Sequence, residues 1–383
     1  MKTAAALLLS LGLMACASAP PMPPAAGLFH DELFGAPSAP IDAAEALAVS
    51  PAMRKYLAEK ILSGPRFLDR KQQLIDALYR KDELLLEYDA AVTRTAAQAF
   101  DARSGNCLAL VLMTSAFARE MGLSVRYQMV LGEDSWDRAG DIVVSVGHVN
   151  LTLSDRPPQN GIGIMDTGQL TIDFVAPRNA RALRTRVIQE HTVIAMFLNN
   201  RAVEALTQGQ TDDAYWWARE AIAKDQQLLS AYITLGVIYR NRQRPELAEQ
   251  VLLRVAEREP DNTKAMSNRA LVLRDLGRHA EADALLRQLD RLDPHPPFSY
   301  FNKGMAALRE RRFEAARGLF TKEVDRAPYH HEFQFWLAIT YLELHDAARA
   351  TEHLTKAMEV STTRKDHELY AAKLGRLKAL GPQ

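Results

Sequence analysis

From Ala195 onward the chain repeats itself every 34 residues without a gap, and a period of that length leaves few folds open. One column of the repeat reads Ala202, Gly236, Ala270, Gly304 and Ala338; another reads Ala214, Ala248, Ala282, Ala316 and Ala350. Small residues at two fixed places let paired helices approach closely. A third column, Pro260, Pro294 and Pro328, ends the second helix of a pair, because proline lacks the amide hydrogen and clashes with the preceding turn. Such a unit cannot bury its apolar face alone, so successive units stack. The expectation is five helix pairs over residues 195–361, closed by a solvating capping helix over residues 362–383.

The second unit, "SAYITLGVIYRNRQRPELAEQVLLRVAEREP", carries Tyr232, Leu235, Gly236, Tyr239, Ala248, Leu252 and Pro260 at the positions that mark the tetratricopeptide repeat, and the array resembles that family. The resemblance implies an all-α solenoid whose first helices line a concave groove for a protein or peptide partner. Asn200, Asn268 and Asn302 recur at one first-helix column, and Arg240 and Arg274 lie near first-helix ends, with Asn241 and Arg309 beside them. These residues are candidates to grip an extended backbone or a carboxylate. The ordinary alternative is a solvated polar face.

The N-terminus, "MKTAAALLLSLGLMACASAP", opens with Lys2 and runs apolar to Leu13-Met14-Ala15-Cys16. It reads as a secretory signal over residues 1–15, and the run is too short for the roughly 20 residues a membrane span needs. The residues around Cys16 resemble the lipobox of bacterial lipoproteins. That resemblance implies lipidation of Cys16, a membrane anchor and, with Ala17 next, an outer-membrane location facing the periplasm. Residues 16–27, rich in alanine and proline, read as a flexible tether. Lys plus Arg and Asp plus Glu are balanced at 47 each, which gives no bulk field for nucleic acid.

Residues 28–190 do not repeat. Helical segments come first: "IDAAEALAVSPAMRKYLAEKIL", "RFLDRKQQLIDALYRKDELLLEYDA", "AVTRTAAQAFDAR" and an apolar helix from Cys107 to Met121 closed by Gly122. Alternating segments follow: "SVRYQMV", "DIVVSVGHVNLTL" and "QLTIDFV". Helices first and antiparallel strands after make an α+β domain.

With Cys16 lipidated, Cys107 is an unpaired cysteine in an oxidising compartment. A thiol in the first turn of a helix faces unsatisfied amide hydrogens and the positive end of the helix dipole, which favour the thiolate. The amide of Cys107 is itself a candidate oxyanion donor, and Gln98 upstream is a second. A base is needed, and strand periodicity puts His148 on one face with Val144, Val146 and Asn150. A hairpin turning at Gln159-Asn160 sets Thr171 opposite His148, which makes Asp173 its diagonal neighbour and the favoured orienting acid. Asp166 then falls about 17 Å along the strand, which leaves Asn150 and Asp166 as weaker third members.

"FDARSGNCLALVLMTSAFAREMGLSVRYQMV" with "GHVNLTL" and "LTIDF" resembles the core of the transglutaminase-like superfamily, of papain-like fold, over Thr93–Val175. The resemblance implies Cys107 as nucleophile, His148 as base and acid, and Asp173 as orienter, in a cysteine hydrolase (peptidase or amidase) or acyltransferase working through a thioester. The chain departs from the family pattern at Val149-Asn150-Leu151, where members carry a tryptophan. The competing expectation is a non-catalytic scaffold lipoprotein that works through its repeat groove. No CxxC or HExxH spacing asks for a metal, and no cofactor is expected.

Overall fold

The computed structural model describes residues 25–63, 69–79, 86–89, 92–130, 135–139, 142–146, 148–155, 168–174, 184–328, 330–361 and 364–379. Its first helix, α1 (Pro51–Tyr56), starts where Ser50 accepts a hydrogen bond from the Met53 amide and Pro51 occupies the first turn; a single π turn, Leu57–Ile61, continues it. Helix α2 (Arg70–Tyr79) lies within the long helical segment expected there. Beyond it, β1 (Glu87–Tyr88) pairs in parallel with β2 (Ser104–Gly105), so a tertiary contact overrides local helix propensity. Helix α3 (Ala96–Ala102) opens with a capping box between Thr95 and Gln98.

Helix α4 (Cys107–Glu120) is the axis of this half. Residues 107–118 are all buried, as expected of a helix that is apolar all round. It packs on a four-stranded antiparallel sheet of β3 (Ser124–Val130), β6 (Val149–Ser154), β7 (Leu170–Ile172) and β8 (Thr185–Ile188), in the order β7-β6-β3-β8. The expected single strand "DIVVSVGHVNLTL" is two strands. β5 (Ile142–Val146) forms a separate hairpin with β4 (Ser135–Ala139), and β6 begins only after His148. His148 therefore stands at the start of β6, sharing its face with Asn150 and not with a continuous strand behind it.

The hairpin register also differs from the expected one. Thr171 faces Thr152, their hydroxyls 2.9 Å apart, and Leu151 and Leu153 face Ile172 and Leu170. The inward leucines and the threonine pair fix that register, because slipping it would separate them.

From residue 190 every regular element among the described residues is a helix: α5 (Glu190–Thr207), α6 (Thr211–Lys224), α7 (Leu229–Asn241), α8 (Pro245–Arg258), α9 (Thr263–Asp275), α10 (His279–Leu292), α11 (Ser299–Arg309), α12 (Phe313–Arg326), α13 (His331–Glu343), α14 (Ala347–Glu359) and α15 (Arg364–Ala379). The small-residue column does what its chemistry implies. A Cβ on Gly236 would lie 2.9 Å from Leu252 of the paired helix. Among the described residues no helix is long and apolar enough to cross a membrane.

The turn within each pair carries a second periodic device. Gly209, Gln243, Gly277, Arg311 and His345, each 34 residues after the last, all have φ between 57° and 76°. The amide that follows each of them reaches back five residues, as in Arg244 to Tyr239, Arg278 to Leu273 and Asp346 to Tyr341. This closure satisfies the last carbonyls of the first helix through a left-handed residue that glycine adopts without strain. A Cβ at Gly277 meets nothing within 4 Å, so only backbone strain opposes it. Gly277→Ala is expected to cost about 1 kcal/mol and Arg311→Gly to gain a similar amount, read as opposite shifts in urea midpoint.

Residues 25–27 are not part of a tether: Ala25–Leu28 is a 3-10 turn with Ala25 buried. The chain then runs along α6 and α7. Phe34 stacks on Tyr215 at 3.8 Å and 5°, Tyr239 donates to the Leu28 carbonyl at 2.7 Å, and Trp216 donates to the Gly35 carbonyl at 2.6 Å. Aromatic side chains thus hold the backbone by their polar ends while their rings fill the gap. One apolar core runs from Ala25 through α4 and the sheet to Val272, so the α+β half and the first repeats share it.

Candidate active site and repeat groove

Two local rules bring the thiol and the imidazole together. Asn106 caps α4 by accepting from the Ala109 amide at 2.9 Å, which makes Cys107 the first helical residue. The packing of α4 against β6 then lays the helix start beside the strand start. His148 is pinned by its own carbonyl, which accepts from the Val130 amide at 2.8 Å and extends the β3–β6 ladder.

Asp173 follows β7 directly. Its carboxylate oxygens lie 2.8 and 2.9 Å from His148 Nε2, and Asn150 Nδ2 donates to it at 3.2 Å. The last paired residue of β7, Ile172, faces Leu151, so Asp173 falls opposite Asn150 and diagonal to His148. The diagonal relation is the expected one, reached from the opposite side. With Nε2 held by the carboxylate, the Cys107 side chain lies near enough to the imidazole to add to its upward shift.

Electrostatics follow from this packing. Burial disfavours the charged imidazole, but the Asp173 carboxylate and then the Cys107 side chain outweigh it, and His148 is pushed up to about 10. Cys107, His148 and Asn150 are all buried, Cys107 with 2 % of its surface exposed. The arrangement places a buried thiol near an imidazole whose Nε2 is held by a carboxylate.

The remaining candidates divide. Asn150 is a second ligand of Asp173, joining the triad as a partner and not replacing its acid. The Gln98 side chain is turned back onto the Thr95 amide at 3.1 Å and serves its own helix cap, which corrects its expected oxyanion role. Asp166 and Cys16 lie outside the described residues. Sequence reasoning passed over Asn106, Thr93 and Glu204, which are joined in one hydrogen-bonded chain leading to α4. Asn106 alone had a signal, since an asparagine before an apolar helix is a cap. Among the described residues no group of three His, Cys, Asp or Glu forms a metal site.

In the repeats, Arg240 and Arg274 are engaged in ion pairs, Arg240 with Asp275 at 2.5 Å and Arg274 with Asp283 at 3.4 Å. Asn268 donates to the Lys264 carbonyl of its own helix at 2.9 Å, and Asn200 is half-buried. These pairings correct the picture of a ready row of grips. Asn302 instead lines a hollow of about 380 Å³ with Phe301, Met305 and Arg309 of α11 and Glu332 and Trp336 of α13. Both helices are first members of their pairs, the groove side of a solenoid.

A tetratricopeptide-repeat family model matches residues 233–297 and 301–358. Residues 233–297 and 301–358 are tetratricopeptide repeats. Among solved structures the chain is similar to YrrB, a tetratricopeptide-repeat protein described as having an unusual peptide-binding site, at 20% identity, covering 47% of this chain and 92% of that one, with a TM-score of 0.25. It is similar to MamA at 17% identity, 45% and 93% coverage and a TM-score of 0.25. It is also similar to a thermophilic tetratricopeptide-repeat protein of Thermus thermophilus, TTC0263, at 16% identity, 47% and 98% coverage and a TM-score of 0.30. No curated protein matches the chain.

Proposed function

We propose that this chain is a protein-binding scaffold of the bacterial envelope, in which the tetratricopeptide array holds a polypeptide partner beside a Cys–His–Asp thiol site. The observation that carries the binding reading is the run of matched repeats with an aromatic hollow between α11 and α13. Trp336 and Met305 offer apolar contact there, and Arg309 offers charge, the mixture from which peptide hot spots are made. Replacing Trp336 with a photo-crosslinking residue is expected to trap a polypeptide from envelope extract, whereas the same residue at Gln250 on second helix α8 traps none. Equal trapping at both positions would sink the reading.

Export and lipidation at Cys16 belong to the same proposal. The residues between Cys16 and Ala25 reach at most about 30 Å, so an anchor would keep the first repeats close to the membrane. Domain limits at residues 28–190 and 195–361 describe two grammars of sequence sharing one core.

A second reading, a transglutaminase-like cysteine hydrolase or acyltransferase, is favoured by one observation: Asp173 is hydrogen-bonded to His148, and Cys107 lies near enough to the same imidazole to raise it. In that reading the imidazole of His148 already holds the thiol proton as an imidazolium, and Sγ of Cys107 attacks an amide carbonyl beside it. The oxyanion turns to the Cys107 amide at the start of α4. Collapse breaks the C–N bond, His148 returns the proton to the leaving amine, and water or another amine resolves the thioester. The near-complete burial of Cys107 and the residue pattern after His148 favour the scaffold over turnover.

A further inference from the structure

Asn106 holds two partners in opposite directions. Its Oδ1 accepts from the Ala109 amide and caps α4, and its Nδ2 donates to Thr93 Oγ1 at 2.7 Å. The Thr93 side chain also favours the charged form of Glu204 on α5, against the burial that raises it. The Thr93 amide also donates to Glu204 Oε1, at 2.7 Å. The second carboxylate oxygen, Oε2, accepts from Arg201 Nη1 at 2.9 Å, and the Arg201 guanidinium lies 5.5 Å from the ring centroid of Trp217 on α6.

The middle of this series is closed to water, with Thr93 exposed by 1 % and Asn106 by 5 %. A buried series of this kind fixes orientation more firmly than its separate bonds, because releasing one member strands a polar group without water to replace the partner. Burial raises the Glu204 carboxyl above the ordinary range, and Thr93 and then Arg201 offset only part of that rise. The series starts on both helices of the first repeat pair and ends one residue before Cys107.

We propose that Glu204 is a positioning residue for the thiol site: it fixes Thr93, Thr93 fixes Asn106, and Asn106 sets the first turn of α4 on which Cys107 sits. The first repeat is thereby part of the site's scaffold. This rests on the reading of Cys107 as a thiol held by His148.

The test uses the full chain and four variants, Glu204→Ala, Glu204→Gln, Thr93→Val and Thr93→Ser, with two readouts. One is the iodoacetamide rate of Cys107 as a function of pH, and the other is amide exchange in the peptide spanning Asn106–Leu112. Glu204→Ala and Thr93→Val are expected to slow alkylation about fivefold near pH 6 and to speed exchange by a similar factor, the usual effect of losing a helix cap. Glu204→Gln, which keeps an acceptor for Thr93, and Thr93→Ser, which keeps the hydroxyl, are expected to stay within about twofold of wild type. Thermal melts by circular dichroism identify a variant that has simply unfolded, and the conservative pair then decides. Unchanged exchange and alkylation in folded Glu204→Ala overturn the proposal. If wild-type Cys107 reacts as an ordinary thiol, the thiol-site reading fails by itself, and the exchange arm still decides whether Glu204 holds the helix start.

Discussion

His148→Ala is expected to slow alkylation of Cys107 near pH 6 by roughly a hundredfold. An ordinary thiol with a pKa of about 8.5 is under about 1% ionised at that pH, so a thiol that has lost its imidazolium partner falls to that level. His148→Gln separates charge from volume, since its amide can still face Asp173 without carrying a positive charge. The same pair of proteins reports through stability. The imidazole is raised, so its contribution is complete below the ordinary histidine pKa of about 6.5 and is lost as pH rises through about 10. Wild type should lose on the order of a few kcal/mol across that window, and His148→Gln should show no such slope. A flat wild-type profile, together with alkylation indifferent to His148, would contradict the pairing.

The second large effect is expected at the other end of the half. Phe34→Ala should destabilise the fold by about 3–5 kcal/mol, the range for emptying an aromatic core position. Phe34 stacks on Tyr215, lies 5.9 Å from Tyr239 by ring centroids, and has the Arg242 guanidinium 5.2 Å from its ring centre. Beyond it, Ser38 binds Asp213 through its amide at 2.7 Å and its hydroxyl at 2.8 Å. Removing the ring takes away the contact around which these bonds are arranged, so residues 25–38 should leave α6 and α7 together. A shift in urea midpoint at unchanged slope measures the loss, and a double-mutant cycle with Tyr215→Ala assigns it to the stacked pair. A change below about 1 kcal/mol would mean the segment rests on the repeats without supporting them.

The array was legible because its signals are local and periodic. Ala214 to Ala350 and Gly236 to Gly304 repeat at 34 residues, and the helices follow. Cys107 at a helix start was equally local, since Gly105-Asn106 before an apolar run is a cap. The left-handed column was only partly visible: Gly209 and Gly277 advertise it, whereas Gln243, Arg311 and His345 adopt the same φ under tertiary constraint. Strand register was set by pairings between distant residues, Thr152 with Thr171 and Leu153 with Leu170, and a turn guessed at Gln159-Asn160 could not supply them. Long-range contacts were the least visible. Nothing near Phe34 announces Tyr215, and nothing near Thr93 announces Glu204, because each pair is chosen by the packing of whole helices. Composition and periodicity report what a segment needs, and the partner that meets the need is a property of the fold.

The measurement that bears most directly on the account is the affinity of the full chain for the polypeptide trapped at Trp336, compared across wild type, Trp336→Ala with Arg309→Ala, and Cys107→Ala. A scaffold that holds its partner in the repeat groove predicts about tenfold or greater weakening in the groove variant, the loss of one hot-spot cluster, with Cys107→Ala binding as wild type does. Equal affinity in the groove variant and wild type, or binding that disappears with Cys107 alone, would contradict it.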